Sequence, residues 1–161
     1  MDFELKGKKA IVSAGGSGIG HTVVEEFIKQ GVSISTCDID KDYILELRSK
    51  YPQVYAKVVD VGDQLAVKEF CIKSIEFLGG LDCLVNNAGV AGPTSPVEEI
   101  DTEDWLHCLN VCLSSQFYFV KSCLEQLRES SSASIINISS AAGKYGFALR
   151  TPYASAKWGV I

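Results

Sequence analysis

Short runs of apolar and β-branched residues alternate along this chain with longer amphipathic runs, and this alternation constrains the fold most strongly. Strands are predicted at 9–13, 32–37, 54–59, 81–86 and 134–139. Helices are predicted at 18–30, 41–50, 63–78 and about 102–129, the last in one piece or two, and another begins near Tyr153. Strands that alternate with helices pair in parallel through right-handed crossovers. The sequence therefore predicts a doubly wound parallel α/β sheet of five strands in three αβα layers.

Composition and charge describe a globular chain that does not favour polyanionic partners. The 161 residues fit one domain, and 47% of them are hydrophobic. A net charge of −5 argues against nucleic acid or an anionic membrane surface as a partner. No apolar run reaches the roughly 18 residues that a membrane helix needs. Residues 1–6 carry two acids and no apolar stretch, which argues against a secretion signal and favours a cytoplasmic protein.

Six cysteines raise the question of disulfides or a metal site. They lie in apolar periodic segments and form no C-x-x-C pair: Cys37, Cys71, Cys83, Cys108, Cys112 and Cys123. Cys108 and Cys112 are four residues apart in the long predicted helix, a spacing that two ligands of one metal ion can have. Because an unpaired cysteine is commonly packed as a small apolar residue, we expect neither disulfides nor a metal site.

A glycine-rich turn joins the first predicted strand to the first helix. It reads Ser13-Ala14-Gly15-Gly16-Ser17-Gly18-Ile19-Gly20. Glycines let backbone N–H groups approach a phosphate closely, and the helix N-terminus adds partial positive charge. The turn therefore predicts a pyrophosphate site, and the alternative is a tight turn without a ligand.

Asp38 closes the second predicted strand, 18 residues after Gly20. A carboxylate at this position accepts hydrogen bonds from ribose hydroxyls and repels a 2′-phosphate. No Arg or Lys stands at Gly15, Gly16, Ser17 or Ile39 to neutralise such a phosphate. The pattern predicts NAD rather than NADP, and the alternative for Asp38 is a solvated turn carboxylate.

Polar residues also follow the three later strands. They are Asp60-Val61 after the third strand, Asn86-Asn87-Ala88-Gly89 after the fourth and Ser139-Ser140 after the fifth. Each has a simpler explanation as a helix cap, a turn or a loop hydroxyl. Because the carboxyl ends of parallel strands share the sheet edge where open α/β sheets bind ligands, we expect these residues to lie at one site.

Tyr153 and Lys157 are spaced i,i+4 and share one face of the last predicted helix. An ammonium group beside a phenol stabilises the phenolate, and such a tyrosine can exchange a proton with an alcohol or carbonyl oxygen. The bare spacing arises often by chance. Here it follows Ser140 by 13 residues, on the helix after the fifth strand.

From Ser13 to Lys157 these motifs resemble the short-chain dehydrogenase/reductase family. The resemblance implies a Rossmann fold and hydride transfer between NAD(H) and a secondary alcohol or ketone. It implies that Tyr153 is the acid/base, that Ser140 orients the substrate oxygen and that Lys157 holds the nicotinamide ribose. Asn110 would hold a water molecule in a proton relay. The implied cofactor contacts are Ser13, Gly15, Ser17, Gly18, Ile19, Gly20, Asp38, Asp60, Val61, Asn87, Ala88, Gly89, Tyr153 and Lys157.

The glycine-rich turn departs from the family pattern Thr-Gly-x-x-x-Gly-x-Gly at Ala14, where the family has its first glycine. A methyl group at this position is harmless if φ is negative and costly if φ is positive. We expect cofactor binding to tolerate the change.

The family resemblance also implies self-association. One apolar stripe comprises Leu113, Phe117, Val120, Leu124 and Leu127, and Tyr118, Phe119 and Cys123 extend it. A helix that is apolar on more than one side is usually buried on more than one side. Family members commonly pair this helix and the next across a dimer axis, so we expect a homodimer or homotetramer. Packing within one subunit is the alternative.

Family members continue beyond the Tyr–Lys helix, whereas four residues follow Lys157 here. We therefore expect residues 1–161 to form a single dinucleotide-binding domain that lacks the family's C-terminal strands and helices. Five strands would leave the fifth as an open apolar edge. A dinucleotide-binding relative without turnover is the alternative function. A flavodoxin-like or methyltransferase domain would not require Ser140, Tyr153 and Lys157 together.

The substrate is a small alcohol or carbonyl compound that the sequence does not identify further. The segments expected to line its site are 90–96 and 143–151. Arg150 in the second segment can bind a carboxylate or phosphate, and a surface or interface position is the alternative.

Overall fold

The computed structural model describes residues 3–161 and contains one five-stranded parallel sheet. The strands are β1 (Lys9–Ser13), β2 (Ser33–Asp38), β3 (Tyr55–Val58), β4 (Cys83–Asn86) and β5 (Ser134–Asn137). They lie in the order β3-β2-β1-β4-β5, and each neighbouring pair is parallel. The predicted fold class is confirmed. Met1 and Asp2, the first residues of the segment that argues against a secretion signal, lie outside the described residues.

The described chain has six α-helices. They are α1 (Gly18–Lys29), α2 (Lys41–Lys50), α3 (Gln64–Leu78), α4 (Thr102–Leu109), α5 (Ser115–Glu129) and α6 (Thr151–Val160). A π-helical turn, Asn110–Ser114, joins α4 to α5, so the long predicted helix is continuous but interrupted. Short 3₁₀ turns lie at Val97–Glu99 and Ala141–Gly143.

Two helices begin at aspartates that follow strands. The Asp40 side chain accepts hydrogen bonds from the backbone N–H groups of Asp42 and Tyr43 at the start of α2. Asp63 does the same at the start of α3. These caps satisfy helix N–H groups that have no partner within the helix, so each helix starts close to the strand end that precedes it.

The core lies on both faces of the sheet because successive strand residues point to opposite sides. On one face, Ile11 and Leu84 pack with Phe70 of α3 and Phe119 of α5. On the other face, Val12 of β1 and Val85 of β4 pack against the helices α1 and α2. The helix residues in this cluster are Val24, Ile44 and Leu47. Both faces are covered by helices, which leaves the ends of the strands as the place for a ligand.

The predicted apolar stripe on α5 does not form one buried face. Leu127 is 2% exposed, whereas Phe117 is 60% exposed. The buried face is centred on Phe119 and Cys123 and is rotated by about a quarter of a turn from the predicted stripe. The predicted stripe therefore lies partly against the sheet and partly at the protein surface.

Two further expectations concern the edge of the sheet and the thiols. β5 is an edge strand, and its Ile135 and Ile136 are 39% and 41% exposed, as expected of an open apolar edge. All six cysteines are unpaired, and all but Cys83 are buried. Within residues 3–161, no helix combines the length and apolar character needed to cross a bilayer.

Candidate active site

A cleft of about 220 Å³ lies at the carboxyl ends of the central strands. The order of strands along the chain reverses between β1 and β4, so the connections leave this point in opposite directions and open a crevice. The cleft is lined by Ala14, Ser17, Asp38, Ile39, Val59, Asp60, Val61, Ala88, Gly89, Val90, His107 and Val111. Six of the residues predicted to contact a cofactor belong to this set.

The glycine-rich turn packs too tightly for side chains at two positions and is open at a third. A Cβ on Gly20 would lie 2.1 Å from the Ala14 carbonyl oxygen, and one on Gly15 would lie 2.1 Å from Thr36 Oγ1. Gly18 has φ of 53° and no atom within 4 Å of a Cβ position. Ser17, the exposed residue that precedes α1, makes no capping hydrogen bond. Open space therefore lies before the α1 N-terminus, where an anion is stabilised.

Asp38 is 7% exposed and lies at the end of β2, facing the turn. Its carboxylate accepts hydrogen bonds from the backbone N–H groups of Gly16, at 2.9 Å, and Asp40, at 3.1 Å. This burial excludes the solvated turn carboxylate considered above. None of the residues that line the cleft is Lys or Arg.

Ser13 and Asn87 connect the ends of β1 and β4. Ser13 Oγ accepts hydrogen bonds from the backbone N–H groups of Asn87, at 3.0 Å, and Ala88, at 3.1 Å. Asn87 Nδ2 donates to the carbonyl oxygens of Ser13, at 3.1 Å, and Ala14, at 3.0 Å. Ser13 is 1% exposed, so it lies beneath the cleft and supports the turn from below.

Lys157 lies where the loop after β4, the end of β5 and the Tyr153 ring meet. It is 3% exposed, and its Nζ donates a 2.8 Å hydrogen bond to the Ile138 carbonyl oxygen. Nζ lies 5.7 Å from the centroid of the Tyr153 ring. A Cβ on Gly89 would lie 3.6 Å from the same Nζ. No carboxylate of the described residues pairs with this ammonium, so its charge is available to Tyr153 and to a ligand.

The two serines after β5 have different partners. Ser139 Oγ donates a 2.8 Å hydrogen bond to the Lys157 carbonyl oxygen and fastens α6 to the end of β5. Ser140 Oγ accepts a 3.2 Å hydrogen bond from the Ala142 backbone N–H. Because Ser140 acts there as an acceptor, its hydroxyl proton remains free to donate.

The structure does not bring the Asn110 side chain to Tyr153 and Lys157. Asn110 Nδ2 donates to the Gly62 carbonyl oxygen at 2.8 Å, and Oδ1 accepts from Tyr118 Oη at 3.1 Å. The amide therefore joins the π-helical turn to the loop after β3, where Asp60 and Val61 border the cleft. The relay role that the resemblance implies for Asn110 stays a prediction, and the side-chain amide is occupied by these two partners.

Cys112, two residues later, faces the site instead. Its Sγ lies 3.3 Å from both the backbone nitrogen and the carbonyl oxygen of Val90, accepting from one and donating to the other. It packs in a small cluster with Cys108, Ala156 and Tyr153. The sequence interpretation weighed a shared metal ion for Cys108 and Cys112 and favoured core packing. The available signal was its i,i+4 spacing from Cys108, which puts both thiols on the face toward α6.

The neighbouring thiol of Cys108 is a neutral group. Burial, followed by the influence of Cys112, raises the pKa of Cys108 to about 12. At neutral pH this thiol is protonated, and it behaves as a small apolar side chain beneath the loop after β4. Gly92 of that loop packs directly on it, since a Cβ on Gly92 would lie 3.0 Å from Cys108 Sγ.

Comparison with known proteins identifies one family and relatives that are named as oxidoreductases or dehydrogenases. A family model described as short chain dehydrogenase matches residues 8–161. An uncharacterised oxidoreductase of Thermotoga maritima is 32% identical over 161 residues, which cover 98% of this chain and 62% of that protein. A 2-dehydro-3-deoxy-L-rhamnonate dehydrogenase (NAD(+)) of Sphingomonas sp. is 30% identical over 155 residues, which cover 96% of this chain and 62% of that protein.

A solved structure agrees at the level of the fold. Levodione reductase superposes with a TM-score of 0.90 at 25% identity, over 96% of this chain and 62% of that one. The chain thus spans 62% of the length of the proteins compared.

Proposed function

Since the chain belongs to the short-chain dehydrogenase family, we propose that it is an oxidoreductase that transfers a hydride between NAD(H) and a secondary alcohol or ketone. The observation that carries the proposal is the 5.7 Å distance between Lys157 Nζ and the Tyr153 ring, beside the cleft at the strand ends. Residues 1–161 are proposed to act as one dinucleotide-binding domain, because one sheet with both faces packed contains all of these groups.

The cleft suits a dinucleotide in shape and charge. Val59, Val61 and Val111 supply apolar walls for a flat base, and the Asp38 carboxylate suits a ribose. The open space before α1 suits the pyrophosphate. The lack of Lys and Arg among the lining residues favours NAD over NADP. The related Sphingomonas protein is named as an NAD(+) enzyme, which also favours NAD.

A dinucleotide held by these residues would supply the hydride donor or acceptor through its nicotinamide ring. During oxidation, Tyr153 Oη takes the hydroxyl proton of the substrate, and during reduction it gives a proton to the carbonyl oxygen. The Lys157 ammonium, held by the Ile138 carbonyl, places a positive charge 5.7 Å from the centroid of the Tyr153 ring. Ser140, which already accepts from Ala142 N–H, donates its hydroxyl proton to the substrate oxygen and orients it.

The proposal is tested by NADH oxidation with a panel of ketones and aldehydes. Tyr153→Phe should lower turnover by about 10²- to 10⁴-fold, because the proton donor is lost, while NADH binding is kept. Tyr55→Phe is the matched control, since Tyr55 lies at the start of β3, at the opposite end of the strand from the cleft, and packs its ring on Phe70 and Phe77, so turnover should not change. Retained turnover in Tyr153→Phe would contradict the mechanism. NADH binding without turnover of any carbonyl, unchanged by either variant, would indicate a non-catalytic dinucleotide-binding relative.

We also propose that the protein forms a homodimer or homotetramer in the cytoplasm. An outer apolar face comprises Leu106, Leu113, Phe117 and Trp158, of which Leu106, Phe117 and Trp158 are each more than half exposed. Leu113 of the π-helical turn lies against Gly159 of α6, which brings the π-helical turn and the α6 part of this face together. Unpaired thiols at all six cysteines are typical of a reducing compartment.

A further inference from the structure

A second cation lies beside Tyr153. Arg150 comes directly before α6, one helical turn ahead of the tyrosine. Its guanidinium carbon is 5.6 Å from the centroid of the Tyr153 ring, and Lys157 Nζ is 5.7 Å from the same centroid. Tyr153 is therefore flanked by two positive charges in a chain whose net charge is −5.

Neither charge is neutralised by the part of the chain that the structure describes. No carboxylate of residues 3–161 lies within 4 Å of Arg150 or Lys157. Two unpaired cations that flank one ring create a positive potential, which attracts an anionic substrate to this end of the site.

The Arg150 guanidinium has one edge whose N–H groups lack partners, and the geometry of this edge suits a planar anion. Arg150 Nη1 donates a 2.6 Å hydrogen bond to Thr94 Oγ1. Arg150 Nε is buried and has no hydrogen-bond partner, and Nη2 makes no hydrogen bond to the described residues. A buried N–H without an acceptor is costly, so it calls for a partner from outside the chain. The Nε–Nη2 edge has two parallel N–H donors without an acceptor among the described residues, and such a pair matches the two oxygens of a carboxylate.

The guanidinium is held at this position by the walls of the site. The Ser95 backbone N–H donates to the Leu149 carbonyl oxygen at 3.0 Å, which joins the loop after β4 to the loop before α6. The Arg150–Thr94 hydrogen bond is the second link between the same two loops. A preorganised donor pair loses less conformational freedom when it binds an anion.

From these observations we propose that Arg150 binds a carboxylate of the substrate, so that the protein acts on oxo acids and the corresponding hydroxy acids. This inference rests on the proposed function. The guanidinium carbon of Arg150 lies 5.6 Å from the ring centroid of the proton donor Tyr153, so the reacting carbonyl and the carboxylate are separated by few bonds. In reduction, the hydride goes to the carbonyl carbon, the Tyr153 proton goes to the carbonyl oxygen, and the carboxylate is unchanged.

The test compares each acid with its uncharged methyl ester in the full-length protein with NADH. Suitable pairs are pyruvate, acetoacetate and levulinate with their methyl esters, which separate the carbonyl and carboxylate by increasing numbers of bonds. For at least one pair, the wild-type kcat/KM should be higher for the acid than for the ester by about 10- to 100-fold, the range for a hydrogen bond between charged groups.

Two variants identify the responsible side chain. Arg150→Gln should lower kcat/KM for the preferred acid to the level of its ester and leave the ester nearly unchanged. Arg128→Gln, which removes an exposed guanidinium near the end of α5, outside the segments expected to line the site, should leave the preference intact. Equal rates for acid and ester in the wild type would overturn the proposal. An equal loss for both substrates in Arg150→Gln would also overturn it, because that result indicates a structural role in joining the loops.

A binding measurement separates this inference from the proposed function. Calorimetry with the NADH complex should show that levulinate binds and methyl levulinate does not, and that Arg150→Gln abolishes levulinate binding. If no carbonyl compound is reduced but this difference persists, the oxidoreductase proposal fails and the carboxylate site stands. If ketones are reduced and Tyr153→Phe stops the reaction, but acid and ester bind alike, only the carboxylate site fails.

Discussion

Ala14 has a backbone conformation that ordinarily selects glycine. Its φ is 52°, in the left-handed region, so the position falls in the costly case that the sequence interpretation distinguished. Its carbonyl oxygen accepts a hydrogen bond from Asn87 Nδ2 and would lie 2.1 Å from a Cβ on Gly20. The surrounding contacts therefore hold Ala14 in a conformation that its methyl group disfavours.

Ala14→Gly should stabilise the protein. Relief of a backbone cost of about 1–2 kcal/mol exceeds the entropy that glycine adds to the unfolded chain, for a net gain of about 0.5–1 kcal/mol. Urea denaturation measures this change in the free energy of unfolding. Ala91→Gly is the control, because Ala91 lies in a loop and has no positive φ, so the same exchange should lower stability or leave it unchanged. If Ala14→Gly lost as much stability as the control variant, the backbone at Ala14 would not be strained.

At the scale of single residues, the sequence predicts which residues belong to the site better than it predicts which way their side chains point. Asp38, Tyr153 and Lys157 follow from their positions at strand ends and along one helix face, because parallel strands bring those ends together. Whether the Asn110 amide faces the cleft depends on the π-helical turn, which changes the helical phase and leaves no hydropathy signal. The unpaired Nε of Arg150 depends in turn on how two distant loops pack.

The π-helical turn between α4 and α5 affects the site through Cys112. π-Turns are found inside α-helices mostly as single turns, frequently at functional sites. Here the turn contains the thiol that contacts both the N–H and the carbonyl of Val90. A Cβ on Gly89 would lie 3.7 Å from Cys112 Sγ and 3.6 Å from Lys157 Nζ. The helix thus holds the loop after β4 against the Tyr–Lys pair.

Cys112→Ala should remove the hydrogen bonds that hold the Val90 backbone, whereas Cys112→Ser should keep them. The alanine leaves a half-buried N–H and carbonyl without partners, at a cost on the order of 1 kcal/mol beyond the lost packing. Cys108→Ala is matched in volume and lies on the same face, but Cys108 makes no hydrogen bond to Val90. Hydrogen exchange at the Val90 amide should accelerate only in Cys112→Ala. Equal acceleration in both alanine variants would assign the effect to packing.

The ends of elements are predicted less well than the elements themselves. β4 runs from Cys83 to Asn86 and not from residue 81, and β5 ends at Asn137 and not at residue 139. Apolar character continues past the paired residues, because Leu81 is buried and Ile138 still donates to the Asn86 carbonyl oxygen. Hydropathy reports burial, whereas the length of a strand is decided by the pairing of its backbone with a neighbour.

At the scale of the whole molecule, the order of the strands decides where the site lies. The alternation of strands and helices predicts parallel pairing but leaves open which strand is central. The structure places β1 between β2 and β4, so the glycine-rich turn after β1 and the loop after β4 border the same crevice. That order depends on contacts between residues far apart in the chain, which local periodicity does not report.

The outer apolar face also belongs to the whole molecule, since it combines three helices. Leu106 of α4, Phe117 of α5 and Trp158 of α6 are 57%, 60% and 54% exposed. Side chains of this size, grouped on one surface, are typical of an interface between proteins. The sequence predicted the association from family resemblance, but the stripe that it named on α5 includes residues buried against the sheet, such as Leu127.

Glutamates on this face should dissociate the assembly. In a symmetric pair, a glutamate introduced at Phe117 or Trp158 enters the interface from both copies, so unpaired charges are desolvated at the contact. We expect light scattering at micromolar concentration to give a dimer or tetramer for the wild-type protein and a monomer for Phe117→Glu with Trp158→Glu. Leu65→Glu should keep the wild-type mass, since Leu65 is 76% exposed on α3, outside this face. A wild-type monomer would contradict the proposed assembly, and an unchanged mass in the double variant would place the interface elsewhere.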